Sequence, residues 1–252
     1  VPNLQRYFIP DSDWYETEVI IKSDDVHHLT RVMRYKEGDK IICNNEDSQA
    51  AICKIIAVEK NVIRAEVLEW LHESVELPLD VTIAQGLPKG DKLDLILQKA
   101  TELGVSSFIP YQAERSVVVW DDKKIAKKMD RFRKIVKEAS EQSHRNKIPI
   151  ISSPMKLADL IWESDHYDVK LFAYEEEAKI ENHQSFGGIL SKVERGQRLF
   201  VCIGPEGGFT TNEAKQLKDN GFHPVRLGPR ILRTETAALY VLASISYQFE
   251  EL

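Results

Sequence analysis

No stretch of the 252-residue chain approaches the run of about 18 apolar residues that a membrane-crossing helix needs. The opening VPNLQRYFIP has neither the basic flank nor the apolar core of a secretory signal, so a cytoplasmic protein is expected. Cysteine is scarce: Cys43, Cys53 and Cys202 are far apart, with no CxxC and no Cys/His cluster. That spacing excludes a disulfide framework and a structural metal site, and it leaves buried thiols as the expectation. His27 and His28 are adjacent and face different directions, which is a poor arrangement for a metal. Also missing are GxGxxG, HExxH and GxSxG, and GLPKGDK (86–92) lacks the spacing and ending of a phosphate-binding P-loop. Nicotinamide chemistry, zinc hydrolysis and phosphoryl transfer therefore have no support.

What is present is ordinary globular composition, 42% hydrophobic and 29% charged. The net charge of -6 hides a polarity along the chain. Residues 1–75 carry 9 Lys and Arg against 14 Asp and Glu, whereas residues 86–150 carry 14 against 9. A phosphate-bearing partner responds to the local field and can bind an acidic protein whose cations gather on one face.

Residues 1–74 read as a small β-rich unit. Residues 25–35 (DVHHLTRVMRY) have Val26, Leu29, Val32 and Met33 at helical spacing, and KIICNN, AAICKIIAVE and NVIRAEVLEW form a meander expected to close as a small barrel or sandwich. The charged stretch HESVELP (72–78) marks a boundary. In residues 75–252, five short apolar runs begin at 81, 106, 169, 198 and 223, mostly separated by segments of helical period. That alternation predicts a parallel sheet covered on both faces. Helices are expected over 91–103, 123–145 and 235–249. The second is crowded with Lys and Arg, which reads equally as a solvated face or an RNA contact. The third has no polar face and must be covered by the core, a partner or both.

Two segments echo one another, Gly204-Pro205-Glu206-Gly207-Gly208 and Gly228-Pro229-Arg230. Each ends an apolar strand with a tight turn made rigid by proline, at the strand end where ligands bind in open α/β sheets. The loops are expected to be neighbours if their strands pair. Thr210-Thr211-Asn212-Glu213 is a capping box, and Thr234 is placed to cap the last helix.

GPEGGFTTNE (204–213) and LGPRILRTETA (227–237) resemble the signature loops of the RsmE-type 16S rRNA (uracil-N3) methyltransferases, a branch of the SPOUT superfamily. HHLTRVMR (27–34), GLPKGDKLDLILQKATELGV (86–105), ERSVVVW (114–120) and EASEQSHRNKIP (138–149) follow the family pattern in the same order. The resemblance implies an α/β protein: a PUA-like RNA-binding β-barrel over 1–74, then a SPOUT parallel sheet with a trefoil knot over 75–252. It further implies a homodimer that uses S-adenosyl-L-methionine to methylate 16S rRNA or the small ribosomal subunit, with no metal and no membrane. A ribose 2'-O methyltransferase and a noncatalytic ribosome-assembly protein are the competing readings.

By the same resemblance, Tyr174, Gly204, Glu206, Gly207, Leu227, Gly228, Ile231 and Leu232 are expected to hold the cofactor. Arg233 is the catalytic candidate, a fixed cation able to stabilise a uracil ring as it becomes anionic. Its competing role is a brace paired with Glu206 or Glu235. Arg6, Arg34, Lys89, Lys92, Arg115 and Arg145 are the RNA-contact candidates. No general base is identifiable.

Overall fold

The computed structural model describes residues 4–22, 24–118, 120, 122–174 and 185–252, and it divides into two compact units. The first comprises residues 1–76 with 140–147, the second 77–139 with 148–252.

In the first unit the chain runs through β1 (Arg6–Phe8), β2 (Glu18–Ile21), α1 (Asp24–His27), β3 (Lys40–Asn44), β4 (Ala50–Val58) and β5 (Ile63–Leu71). The β3-β4-β5 meander is antiparallel, β1 joins β3 in parallel and β2 joins β5, giving the order β1-β3-β4-β5-β2. Register shifts between Ile52 and Cys53 and between Ile55 and Ala57 interrupt the ladder. Such irregularities sharpen local twist and curl a sheet. The curled sheet encloses Tyr7, Ile21, Leu29, Ile41, Cys43, Cys53 and Ile63, all fully buried. The helix expected over 25–35 is cut short: one α-turn passes at His28 into a wider turn ending at Val32, and Arg34 takes a φ of 59°. Only Val26 and Leu29 of its apolar stripe are buried, while Val32 is 58% exposed, so a longer helix would gain little from packing.

Residues 140–147 complete this unit in a way their sequence does not signal. Arg145 is 3% exposed and forms an ion pair with Glu76, whose other oxygen accepts the backbone N–H groups of Asn146 (2.8 Å) and Lys147 (3.1 Å). Arg6, 7% exposed, donates to Asn44 Oδ1 at 3.2 Å and to the Arg145 carbonyl at 3.1 Å. Burial lowers the Arg6 pKa against the raising influence of Glu76. Arg6 and Arg145 were expected to contact RNA. They are internal structural cations instead, held by a carboxylate and backbone oxygens that phosphate would have to displace. Because breaking a buried pair leaves its charge uncompensated, Glu76→Gln is expected to destabilise this unit by about 3 kcal/mol in denaturant unfolding. A loss below about 0.5 kcal/mol, the scale of an ordinary surface change, would contradict that role.

The second unit contains β6 (Asp80–Gly86), α2 (Lys92–Glu102), β7 (Ser107–Gln112), α3 (Asp122–Gln142, of which the part to Ala139 belongs here), β8 (Ile150–Ile151), β9 (Met155–Lys156) and α4 (Leu157–Glu163). It continues through β10 (Val169–Ala173), α5 (Phe186–Leu190), β11 (Arg198–Ile203), α6 (Thr211–Asp219), β12 (His223–Val225) and α7 (Thr234–Ser246). The strand order is β12-β10-β11-β6-β7-β8, with β9 also on β7, and every pairing is parallel. Helices α2, α3, α5 and α7 share one apolar cluster with β6 and β11, while α4 and α6 pack in a second cluster around Phe172, Phe200 and Cys202. The sheet is thus covered on both faces, and all its strands end at the same edge.

Candidate active site

That carboxyl edge is where the two glycine-proline loops stand. Their strands do not pair directly, so the condition for neighbouring loops is not met through the sheet. β10 lies between β11 and β12, and Tyr174 extends it by donating its N–H to the Val225 carbonyl at 3.1 Å. The loops are joined by a side chain instead. The Thr234 hydroxyl donates to the Gly204 carbonyl at 2.6 Å and accepts from Gln85 Nε2 at 2.8 Å. Thr234 therefore does not cap α7, whose N-cap is Arg233; its hydroxyl is spent across the two loops. Gln85 is fully buried, and its Oε1 has no hydrogen-bond partner.

Glycine is required here by close approach. A Cβ on Gly86 would stand 2.6 Å from the Pro205 nitrogen, and one on Gly204 would stand 3.2 Å from the backbone of Gly208. Gly228 is constrained differently: a side chain has room, with only Tyr240 Oη at 3.8 Å, but its φ of 77° is costly for any residue with a Cβ. From the other side, Tyr111 Oη donates to the Ile203 carbonyl at 3.2 Å and Arg115 donates to the Gly207 carbonyl at 2.9 Å. The capping box forms as expected, and Glu213 Oε1 also accepts the Glu114 N–H at 2.8 Å. The turn from Gly204 to Gly208 is thereby held from three directions.

Lys92, an RNA-contact candidate, lies within this framework. Its Nζ is 2.8 Å from Glu206 Oε1 and 3.8 Å from Glu235 Oε2. Burial would raise the Glu206 carboxyl, but the Lys92 ammonium and the N–H groups of Glu206 and Lys89 outweigh it and hold the pKa below the ordinary value. The same contact raises Lys92. Lys92, not Arg233, is thus the brace to Glu206 and Glu235. Among the described residues no carboxylate pairs with Arg233, which is exposed at the first position before α7.

The other candidates are distributed unevenly. Leu227 is buried and Leu232 packs against the core, but Ile231 is 77% exposed. The Tyr174 ring tilts against Phe172 at 5.5 Å, with Lys218 Nζ 5.6 Å above it. Lys89 is exposed in this unit, as Arg34 is in the other. A cleft of about 500 Å³ opens beside Gly228 and runs along the outer face of α7, lined by Arg226, Tyr240, Ser244 and Tyr247; of the cofactor candidates only Gly228 reaches it. Gln85, Gly86 and the bridging role of Thr234 were not anticipated. A threonine at a helix start reads first as a cap, and the contact partners are distant in sequence.

The loops fit a neutral adenosyl group: glycine backbone held open, buried leucine beside it, and backbone groups in place of buried charge. This class of strand-end site on a parallel sheet agrees with the family models. One described as an RNA methyltransferase domain matches residues 75–246, and one described as an RNA methyltransferase PUA domain matches 21–68. The chain belongs to the ribosomal RNA small subunit methyltransferase E family. It is 46% identical to that protein of Bacillus subtilis over 98% of both chains, and 32% identical to the one from Mycobacterium tuberculosis over 90% of this chain and 85% of the relative. A crystal structure of the Neisseria gonorrhoeae enzyme bound to S-adenosyl methionine superposes with a TM-score of 0.85, at 28% identity over 98% of each chain.

Proposed function

We propose that this protein transfers a methyl group from S-adenosylmethionine to N3 of a uridine in the 16S RNA of the small ribosomal subunit. The observation that carries the reading is the locked pair of loops, Gly204–Gly208 and Leu227–Thr234, with an exposed arginine at its edge that pairs with no carboxylate among the described residues. The cofactor supplies an electrophilic methyl group on a sulfonium. Gly204, Glu206, Gly207, Leu227, Gly228, Ile231 and Leu232, with Tyr174 at the adjoining strand end, are the residues proposed to hold it.

Attack by uracil N3 forms the N3–methyl bond and breaks the methyl–sulfur bond, leaving the neutral thioether S-adenosylhomocysteine. The N3 proton is released to solvent water, so charge on the ring must be tolerated as that proton leaves. Arg233 can donate two hydrogen bonds to a uracil carbonyl while that charge develops, from a backbone position held by α7, whose Ala237 N–H its carbonyl accepts at 2.9 Å. The target base must be presented outside a helix. Exposed Lys89 and Arg115 beside the loops are suited to fixing the flanking phosphates. Mass spectrometry of small-subunit RNA from a strain lacking the gene tests the base assignment. Loss of one 3-methyluridine supports it, and loss of a 2'-O-methyl nucleoside would replace it with ribose chemistry.

A homodimer through α7 belongs to the same proposal. Ala237, Ala238, Val241, Leu242 and Ile245 are buried in the core, while the opposite face is uncharged, with Tyr240 38% and Tyr247 60% exposed. Leu239 packs against the core, so Tyr240 is the better probe. Tyr240→Glu is expected to sediment as a folded monomer; a variant that remains a dimer places the interface elsewhere.

A further inference from the structure

We infer that the outer face of α3 is a docking track for the RNA backbone that flanks the target nucleotide. The inference rests on the RNA methyltransferase reading and deepens it. Seven of the fourteen residues from Lys124 to Lys137 are Lys or Arg, against a single acid, Asp130. Lys124, Lys127, Arg131 and Lys134 are all exposed. Their spacing of i, i+3, i+7 and i+10 puts them on one helix face, spread over about 15 Å. Met129, Phe132 and Val136 occupy the opposite face and are buried in the core.

Three observations select an RNA strand as the occupant. First, the stripe is connected to the active site. Arg131 forms an ion pair with Asp94 in the first turn of α2, two residues beyond the Lys92 that braces the signature loops. A strand whose base enters the site has cations continuing away from it along α3. Second, the α3 cations differ from other expected phosphate contacts in exposure: Arg6 and Arg145 are buried inside the first unit and Lys92 is half-buried against Glu206, whereas Arg131 and Lys134 stay exposed while contacting Asp94 and, at 4.0 Å, Glu138. Residues 1–75, with 9 basic against 14 acidic side chains, offer no comparable surplus. Third, a basic amphipathic helix can also lie on an anionic membrane, but it must insert its apolar face to do so. Here that face is already used by the core.

The test replaces Lys124, Lys127 and Lys134 by glutamine in the full-length protein. Binding to small ribosomal subunits prepared from cells lacking the methyltransferase is then followed across a salt series, with anionic vesicles of phosphatidylserine and phosphatidylcholine as a second probe. Every phosphate that a lysine neutralises adds about 0.7 to the slope of log K against log salt, so the triple variant should lower that slope by about 2. Affinity for S-adenosylmethionine, thermal stability and turnover at saturating subunits should be unchanged, which separates docking from folding and chemistry. A control with the same charge removal at Lys156, Lys192 and Lys215 should leave the slope as in the wild type. An unchanged slope in the α3 variant, an equal fall in the control, or salt-dependent vesicle binding that disappears with the same three lysines would overturn the proposal. If the wild-type protein methylates no RNA, the functional reading fails; if it does so and the α3 variant keeps its slope, only the track fails.

Discussion

Arg233→Ala is expected to slow single-turnover methyl transfer by on the order of 100-fold, the scale of removing one electrostatic donor from a transition state. Arg233 is exposed, bound by no carboxylate among the described residues, and positioned by the first turn of α7, where its carbonyl accepts the Ala237 N–H at 2.9 Å. A brace would leave a different signature, because losing it should lower stability and cofactor affinity together. Lys92 fills that position, with its ammonium shared between Glu206 and Glu235. Arg233→Lys separates charge from shape: it keeps the cation but cannot present the planar fork, so most of the rate loss should persist. Calorimetric affinity for S-adenosylmethionine should change little in both variants. A collapse of that affinity with the chemical step intact would move Arg233 out of the chemistry.

Gly86→Ala should have the second-largest effect, although it adds one methyl group and lies in neither signature loop. Its Cβ would stand 2.6 Å from the nitrogen and 2.7 Å from Cδ of Pro205, and 3.0 Å from the Gly204 carbonyl carbon. Two of these are backbone atoms that cannot rotate away, so the whole turn must move. The movement also strains the Thr234 link, since its hydroxyl holds the Gly204 carbonyl and is itself held by Gln85, the neighbour of Gly86. Overpacking of this kind costs about 1 to 3 kcal/mol. A displacement of about 1 Å near reacting groups can cost on the order of 100-fold in rate. Gly228→Ala is the informative comparison: its Cβ has room, so any loss there measures the cost of a φ of 77° rather than a collision. Wild-type turnover in Gly86→Ala would show that the loop position is not critical.

Much of this architecture was legible in the sequence because its signals are local. The β-branched runs of the meander and the five apolar runs of the second unit each became a strand, and the apolar stripes gave α2, α3 and α7 to within a few residues. The capping box at Thr210 could be read because donor and acceptor lie three residues apart. The failures have the opposite character. Arg145 looked like a surface cation because its carboxylate partner, Glu76, is 69 residues away, and Lys92 looked like an RNA contact because Glu206 is 114 residues away. The order of β10, β11 and β12 was likewise hidden, since strand sequence does not state which neighbour a parallel strand chooses. The helix expected over 25–35 forms from Asp24 to Val32 but widens at His28 and stops early, because the curled sheet buries only Val26 and Leu29 of its apolar stripe.

The most direct test of the central claim is to incubate the purified protein with methyl-labelled S-adenosylmethionine and small ribosomal subunits that lack the modification. The 16S RNA is then digested to nucleosides and the label located by mass spectrometry. Labelled 3-methyluridine from one site, formed by the wild type and strongly reduced with Arg233→Ala, is the expected result. Label on a ribose 2'-oxygen or on another base, or no transfer by a protein that binds the cofactor, would contradict it.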